Sequence, residues 1–188
     1  MDDLESRRIR WIEQLEAAEP DGRFPVGVGD DAAIWTPSRG RRTVLTVDAQ
    51  IEGTHFLRSW LTLREVGRRA ASASLSDLAA MAARPVCLLV SLVLEKGTPE
   101  RDFRAVYQGI REAASAHGAR IIGGNLSSGP FAIHITALGE ADPSRTLLRS
   151  GAAPGEEIWV TGTPGLARLG LLALGRRTRR RGRTRRAS

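Results

Sequence analysis

Three groups of residues in this 188-residue chain have types and spacings suited to chemistry. The first is Gly27-Val28-Gly29-Asp30-Asp31, where a turn-rich stretch meets a short apolar run. Its glycines allow tight backbone geometry, and its adjacent carboxylates offer oxygen ligands to a hard cation such as Mg²⁺. An ordinary exposed Gly-Asp turn explains the same residues. The second group is Asp48, at the end of the apolar segment Thr43–Val47, followed by Glu52 and His55. Acids are disfavoured inside strands but common where strands run out into loops. A lone histidine is more often structural than catalytic, and His117 and His134 have no zinc-like spacing with His55. The third is Asp77. Val66, Ala70, Ala73 and Asp77 recur at intervals of four, three and four, so they share one face of a helix. That puts a carboxylate on a stripe expected to be packed, which is costly unless the group is paired or bound to a cation. A salt bridge to one of the many arginines and a bound metal both meet that requirement. Three acids in separate segments, each at the edge of an element, together raise the metal reading. Mg²⁺ takes a few carboxylates plus phosphate oxygens, which suits a nucleotide site.

Absent motifs narrow the reaction. There is no G-x-x-x-x-G-K-[ST], so the chain is not a P-loop enzyme. No H-R-D, D-F-G or G-x-S-x-G occurs, which excludes a protein kinase and the usual serine-hydrolase elbow. Gly123-Gly124-Asn125 is expected in a loop between two strands, so a dinucleotide-binding fingerprint is not supported.

The elements that must position these groups follow from periodicity and turn signals. Helices are expected over Leu4–Ala18, Thr62–Ala82 and from Thr98 or Pro99 to about His117, closed by Gly118. Strands are expected over Ala32–Trp35, Thr43–Asp48, Val86–Leu94, Ala119–Ile122 and Phe131–Leu138. A further segment begins near Leu148, with a short strand at Glu157–Thr161 and the start of a helix at Gly165–Leu174. Strands and helices mix without strict alternation. That favours an α+β fold, a mixed or antiparallel sheet packed with helices, over a doubly wound one.

Composition sets the outer limits. The hydrophobic fraction of 41% and the recurring periodic segments exclude general disorder. The longest apolar run, Val86–Leu94, is interrupted by Ser91 and is far short of the roughly 20 residues that span a bilayer. The N-terminus shows no basic region followed by an apolar one, and the single cysteine, Cys87, excludes an internal disulfide framework. A reduced, cytoplasmic setting is expected. The net charge of +7 is local. Residues 175–188 hold eight arginines and no acid, and without them 20 basic residues face 21 acidic ones. Nucleic acid is therefore not an expected partner, except non-specifically through that tail. Lys96 is the sole lysine, so any phosphate chemistry must use arginine, backbone N–H groups or metal ions.

An ordered series of motifs runs through the chain: Gly29-Asp30-Asp31-Ala32-Ala33, Val47-Asp48, Glu52-Gly53-Thr54-His55-Phe56, Leu75-Ser76-Asp77-Leu78-Ala79-Ala80-Met81 and Ile121-Ile122-Gly123-Gly124-Asn125. Arg149-Ser150-Gly151-Ala152, Pro154-Gly155 and Val160-Thr161-Gly162-Thr163-Pro164-Gly165 complete it. The series resembles the thiamine-monophosphate kinases, in the superfamily that includes aminoimidazole ribonucleotide synthetase. The resemblance implies that superfamily's N-terminal-domain fold and Mg²⁺-dependent transfer of the ATP γ-phosphoryl group, in line, to thiamine monophosphate. It implies Asp31, Asp48 and Asp77 as metal ligands, with Thr46 contributing oxygen, Asp30 supporting the site and Asn125 at a further metal position. It implies His55 at the thiamine phosphate, and Gly124, Asn125 and Arg149 at ATP, with Tyr107 a weaker nucleotide candidate. It also implies a homodimer in which sheets from two subunits join into a barrel, with which the small residues of Ala70–Ala82 are compatible.

Two departures accompany the resemblance. The family usually has Gly-Gly-Asp where this chain has Gly123-Gly124-Asn125, and asparagine offers only a neutral carbonyl oxygen. The family continues into a second domain, whereas here the expected organisation is an ATP- and Mg²⁺-binding domain over 1–147, a truncated start of the second over 148–174 and a disordered arginine-rich tail over 175–188. The competing readings are a non-catalytic Mg-nucleotide-binding or dimerisation fragment and another ATP-dependent synthetase of the same superfamily. The Ile51–Phe56 segment and the Arg149–Gly165 block favour the thiamine branch.

Overall fold

A computed structural model describes residues 4–17 and 22–184 of the chain. Contacts divide it into two compact units, Met1–Leu148 and Arg149–Ser188. The first unit holds helix α1 (Leu4–Glu16), strand β1 (Arg42–Ile51), helix α2 (Leu63–Ala80), strand β2 (Arg84–Leu94), helix α3 (Glu100–Ala116) and strands β3 (Arg120–Ser128) and β4 (Ala132–Ala141). The four strands form one sheet in the order β1-β4-β2-β3. β2 and β3 are parallel, joined by the crossover through α3, and the other two pairings are antiparallel. The sheet is mixed and the class is α+β.

Alternation along the strands gives the sheet two faces. Val44 of β1, Leu88, Val90 and Leu92 of β2, and Ile133, Ile135 and Ala137 of β4 point to the face carrying α2 and α3, and all are buried in one core cluster. α2 begins at a capping box: the Thr62 N–H donates to Glu65 Oε2 at 2.7 Å, and Thr62 Oγ1 accepts from the Glu65 N–H. α2 and α3 cross with their backbones in contact. A Cβ on Gly67 would lie 2.0 Å from the Val106 carbonyl oxygen, and one on Gly109 equally close to that of Arg64. Ala70, Ala71 and Ser74 are buried, with Ser74 Oγ donating to the Ile135 carbonyl. The small-residue run of α2 therefore serves packing within this chain.

The opposite face is covered in part by residues 22–41. Phe24 packs with Val86, Cys87 and Ile122, with Trp35 and Leu138 against them. Glu140, 5% exposed, fastens this segment: its Oε1 accepts from Arg23 Nη2 and from the Ser38 N–H, both at 2.7 Å. β1 lies outside that cover, so Leu45, Val47 and Ile51 on its other face are exposed.

Several sequence expectations change. Ala32–Trp35 forms no strand, only a bridge between Val26 and Ile34, because residues 22–41 lie across the sheet instead of joining it. Gly123-Gly124-Asn125 lies inside β3, which pairs with β2 through a register shift at Leu88/Leu89 and continues to Ser128. The packed stripe of α2 is Val66, Gly67, Ala70, Ala71, Ser74, Leu75 and Leu78, which leaves Asp77 exposed beside it. α1 ends at Glu16, and Ala18 lies outside the described residues. In the second unit Glu157–Thr161 forms no strand, since no neighbouring strand pairs with it, and Trp159 is exposed. Helix α4 (Leu166–Thr184) continues into the arginine-rich segment expected to be disordered, of which residues 185–188 lie outside the described residues. No helix among the described residues is long and apolar enough to cross a membrane.

Candidate functional site

The sequence-selected residues fall into two groups. The first is built on β1 and α2. Thr46 and Asp48 are two apart on a strand whose Val44 is in the helix-side core, so both project toward α2. There Thr46 Oγ1 donates to Asp77 Oδ2 at 2.7 Å. About two turns earlier on α2, Arg69 Nε donates to Gln50 Oε1 at 3.0 Å, which gives the nearest helix cation on this row a partner of its own. Asp48 and Asp77 take part in no ion pair among the described residues, so the salt-bridge explanation of Asp77 does not hold. Beyond β1 the chain turns back: the Ile51 N–H donates to His55 Nδ1 at 3.1 Å, and the His55 N–H to the Ile51 carbonyl at 2.9 Å. With Nδ1 accepting, the neutral ring carries its proton on the exposed Nε2.

The second group surrounds a cavity of about 540 Å³ between α1, the Val28–Asp31 loop and β3. Asp30, Asp31, Gly124, Asn125 and Tyr107 all line it. Asp30 Oδ1 accepts from the Asp31 N–H at 2.8 Å, which orders the loop and leaves both carboxylates exposed and free of ion pairs among the described residues. Gly124 is required by a close approach, since a Cβ there would lie 1.9 Å from the Val90 carbonyl oxygen. Tyr107 is only 2% exposed, edge-on to Trp11, and burial with the nearby Glu16 carboxylate pushes its phenol pKa well up. A second cavity, about 640 Å³ and on the other face of the sheet, shares Asp30, Asp31 and Asn125 and adds Trp35, Ser91 and His134.

The two groups are held apart by the sheet. Asp48 pairs with Ile135, Ile135 with Val90, and Val90 with Gly124, so Asp48 and Gly124 end one row across four strands. Three inter-strand spacings make that about 14 Å. No group of three or more His, Cys, Asp or Glu among the described residues is close enough to hold a metal. Within one chain, Asp31, Asp48 and Asp77 thus do not converge on a single ion. Arg149 lies in the second unit and is exposed there.

Sequence reasoning named Glu52 as an acid near Asp48 but missed the contacts that hold this frame. Glu52 is engaged by Arg58 at 2.7 Å, which also reaches Glu95 at 3.0 Å and lies over the Phe131 ring. The Arg58 hydrogen bond holds the Glu52 carboxyl below its usual range. Burial pushes the Glu140 carboxyl up, but the Ser38 hydrogen bond and the Arg23 charge outweigh it and hold the group low. These contacts join residues 6 to 117 positions apart, and no local pattern announces the long ones.

Residues 29–141 match the family described as AIR synthase related protein, N-terminal domain. The chain belongs to this family. Among AIR synthase related relatives, it is 42% identical over 144 residues to a thiamine-monophosphate kinase of Synechococcus elongatus, covering 76% of this chain and 44% of that protein. A Bacillus subtilis protein of the same name is 34% identical over 151 residues, covering 79% and 46%. The structure superposes on the thiamine-monophosphate kinase of Stenotrophomonas maltophilia with a TM-score of 0.74 at 32% identity, covering 90% of this chain and 52% of that one. It superposes on AaThiL complexed with AMPPCP and TMP at 0.68 and 30%, covering 89% and 51%. The hydrogenase maturation protein HypE in complex with ATP, at 20% identity and a TM-score of 0.65, shares the fold. The chain spans about half the length of the curated relatives it matches.

Proposed function

We propose that this chain carries the ATP- and Mg²⁺-binding part of a thiamine-monophosphate kinase. The γ-phosphoryl group of ATP passes to the phosphate of thiamine monophosphate, giving thiamine diphosphate and ADP. One observation carries the reading: in a chain with 28 basic residues, Asp31, Asp48 and Asp77 have no cationic partner among the described residues. Carboxylates left open in two groups, Asp31 with the Asn125 carbonyl at a cavity and Asp48 and Asp77 with the Thr46 hydroxyl on the β1–α2 side, suit hard cations that also take phosphate oxygens. Bound Mg²⁺ would neutralise phosphate charge and hold the reactants in line.

Each residue then has a task. Asp30 orders the loop that presents Asp31. Thr46 orients Asp77, and Asp48 stands two residues along the same face of β1. Gly124 lets backbone approach backbone at the cavity wall, and Asn125 supplies a neutral oxygen there. His55 offers an Nε2 proton to a phosphate oxygen, and Arg149 is a counter-charge for ATP. The separation of about 14 Å between the groups suits two reactants laid end to end rather than one ion held by all. The exposed Leu45, Val47 and Ile51 on the outer face of edge strand β1 support a homodimer packed sheet on sheet. A reduced cytoplasmic setting agrees with the buried free thiol of Cys87.

The test is thiamine diphosphate formation from ATP, thiamine monophosphate and Mg²⁺ by the purified chain. Product that disappears with EDTA and in Asp48→Asn supports the reading. No product, with a full-length relative active alongside, refutes turnover by this chain.

A further inference from the structure

Between β1 and α2 the chain forms a closed ring rather than an open loop. It turns at Gly53, whose φ is +84°, and the Gly53 N–H donates to the Phe56 carbonyl at 2.9 Å. The Thr54 and His55 N–H groups both donate to the Ile51 carbonyl. Arg58 closes the ring on Glu52. Its Nε donates to Glu52 Oε1 at 2.8 Å, its Nη2 lies 2.7 Å from Oε2, and its N–H donates to Oε1 at 3.4 Å. Nη1 is spent elsewhere, donating at 3.0 Å to Glu95 in the loop after β2, while the guanidinium lies 5.6 Å over the Phe131 ring.

An exposed ion pair alone contributes little, because water replaces it readily. This one differs in form. The fork meets both carboxylate oxygens and the remaining nitrogen ties the group to a second element, which fixes its plane. What the ring encloses is His55. Its Nδ1 accepts at 3.1 Å from the N–H of Ile51, the residue next to Glu52. That bond lasts only while the turn keeps the imidazole edge on Ile51, and it leaves the ring proton on the exposed Nε2. The hold on the imidazole is backbone, and Arg58 fastens that backbone from outside it.

We infer that Arg58 is a positioning residue for His55, closing the 52–58 ring so that the imidazole keeps its Nε2 proton and its aim at the phosphate of the acceptor substrate. The inference rests on the reading of His55 proposed above. It gives Arg58 no contact with substrate.

Arg58→Lys tests it, because lysine keeps the charge, loses the fork and is accommodated at a side chain 42% exposed. The first readout is the ring ¹⁵N spectrum at about pH 8, above the ordinary histidine range. The chain has only His55, His117 and His134, and His55→Gln identifies the signal. Wild type should show one His55 tautomer, protonated on Nε2, and Arg58→Lys a mixture of two, with His117 and His134 unmoved. The second readout is a calorimetric cycle with thiamine monophosphate. His55→Gln should weaken binding about ten-fold or more, and Arg58→Lys about three-fold, the cost of freeing one rotamer into three. The double variant should lose no more than His55→Gln alone, and thiamine, which lacks the phosphate, should bind wild type and Arg58→Lys alike. An unmoved His55 tautomer in Arg58→Lys, additive losses, or an equal loss for thiamine overturns the inference while leaving the reading of His55 intact. Wild-type affinity for thiamine monophosphate in His55→Gln, or no binding by wild type, overturns that reading and the inference with it.

Discussion

Thr46→Val removes one hydroxyl from the middle of β1 and changes little else, because valine is close in shape and suits a strand. What it deletes is the 2.7 Å hydrogen bond to Asp77 Oδ2. Asp77 is exposed, so water replaces the lost donor, and the stability cost should stay below about 1 kcal/mol. The cost to cation binding is larger. An aspartate released from one rotamer into three loses RT ln 3, about 0.65 kcal/mol or three-fold in affinity. Losses on removing groups that orient metal ligands commonly reach about ten-fold or more. The expected result is a three- to ten-fold rise in the Mg²⁺ concentration needed for half-maximal AMPPCP binding, with a melting temperature within about 3 °C of wild type. The assay is a calorimetric titration of AMPPCP at stepped Mg²⁺, beside Asp77→Asn, which should lose more. If Thr46→Val leaves the Mg²⁺ dependence untouched while Asp77→Asn abolishes it, the hydroxyl does not orient the ligand. If both leave it untouched, Asp77 holds no cation.

Glu140→Ala removes the acceptor for Arg23 and Ser38 and should cost about 2–3 kcal/mol, or roughly 4–10 °C in melting temperature. Because the folded Glu140 titrates below its usual value of 4.5, its contribution is complete above that pH and is lost as pH falls through the folded value. Melts between neutral and acid pH should thus converge for wild type and variant at the acid end, and a constant gap would refute the assignment. Burial pushes the Cys87 thiol up to about 12, so iodoacetamide should leave it unmodified at pH 8 until denaturant is added. Mass spectrometry showing native modification would contradict the packing around Cys87. Val47→Lys, at a side chain 64% exposed, should leave the fold intact and shift sedimentation from dimer to monomer. A wild-type chain sedimenting as a monomer would remove the sheet-on-sheet dimer.

How legible the fold was depended on how local its causes were. The three long helices of the first unit and strands β1, β2 and β4 follow from periodicity and caps, as the Thr62–Glu65 box illustrates. In sequence β3 ends early, because Gly123-Gly124-Asn125 reads as a loop. The glycine that suggests a turn is there because the Val90 carbonyl leaves no room for a Cβ, a contact between residues 34 apart. The spacing of Ala70 and Ala73 places Asp77 on the packed stripe, whereas the core runs through Ala71, Ser74 and Leu78, one step round the helix. The hydroxyl of Thr46 that meets Asp77 comes from another element, so no helix pattern could foresee it. The small residues of α2, compatible with a dimer in sequence, are accounted for by α3 and β4. The division of the candidate site into two groups across the sheet depends on strand order, which the sequence does not display.

The most direct test of the account is calorimetric binding of AMPPCP to the 188-residue chain with Mg²⁺, with EDTA and in Asp48→Asn. Arg101→Ala, at an 86% exposed side chain on α3, serves as control. Binding is expected with Mg²⁺, abolished by EDTA, weakened about ten-fold or more by Asp48→Asn and unchanged by Arg101→Ala. Binding indifferent to EDTA, or equally affected by Asp48→Asn and Arg101→Ala, would contradict it.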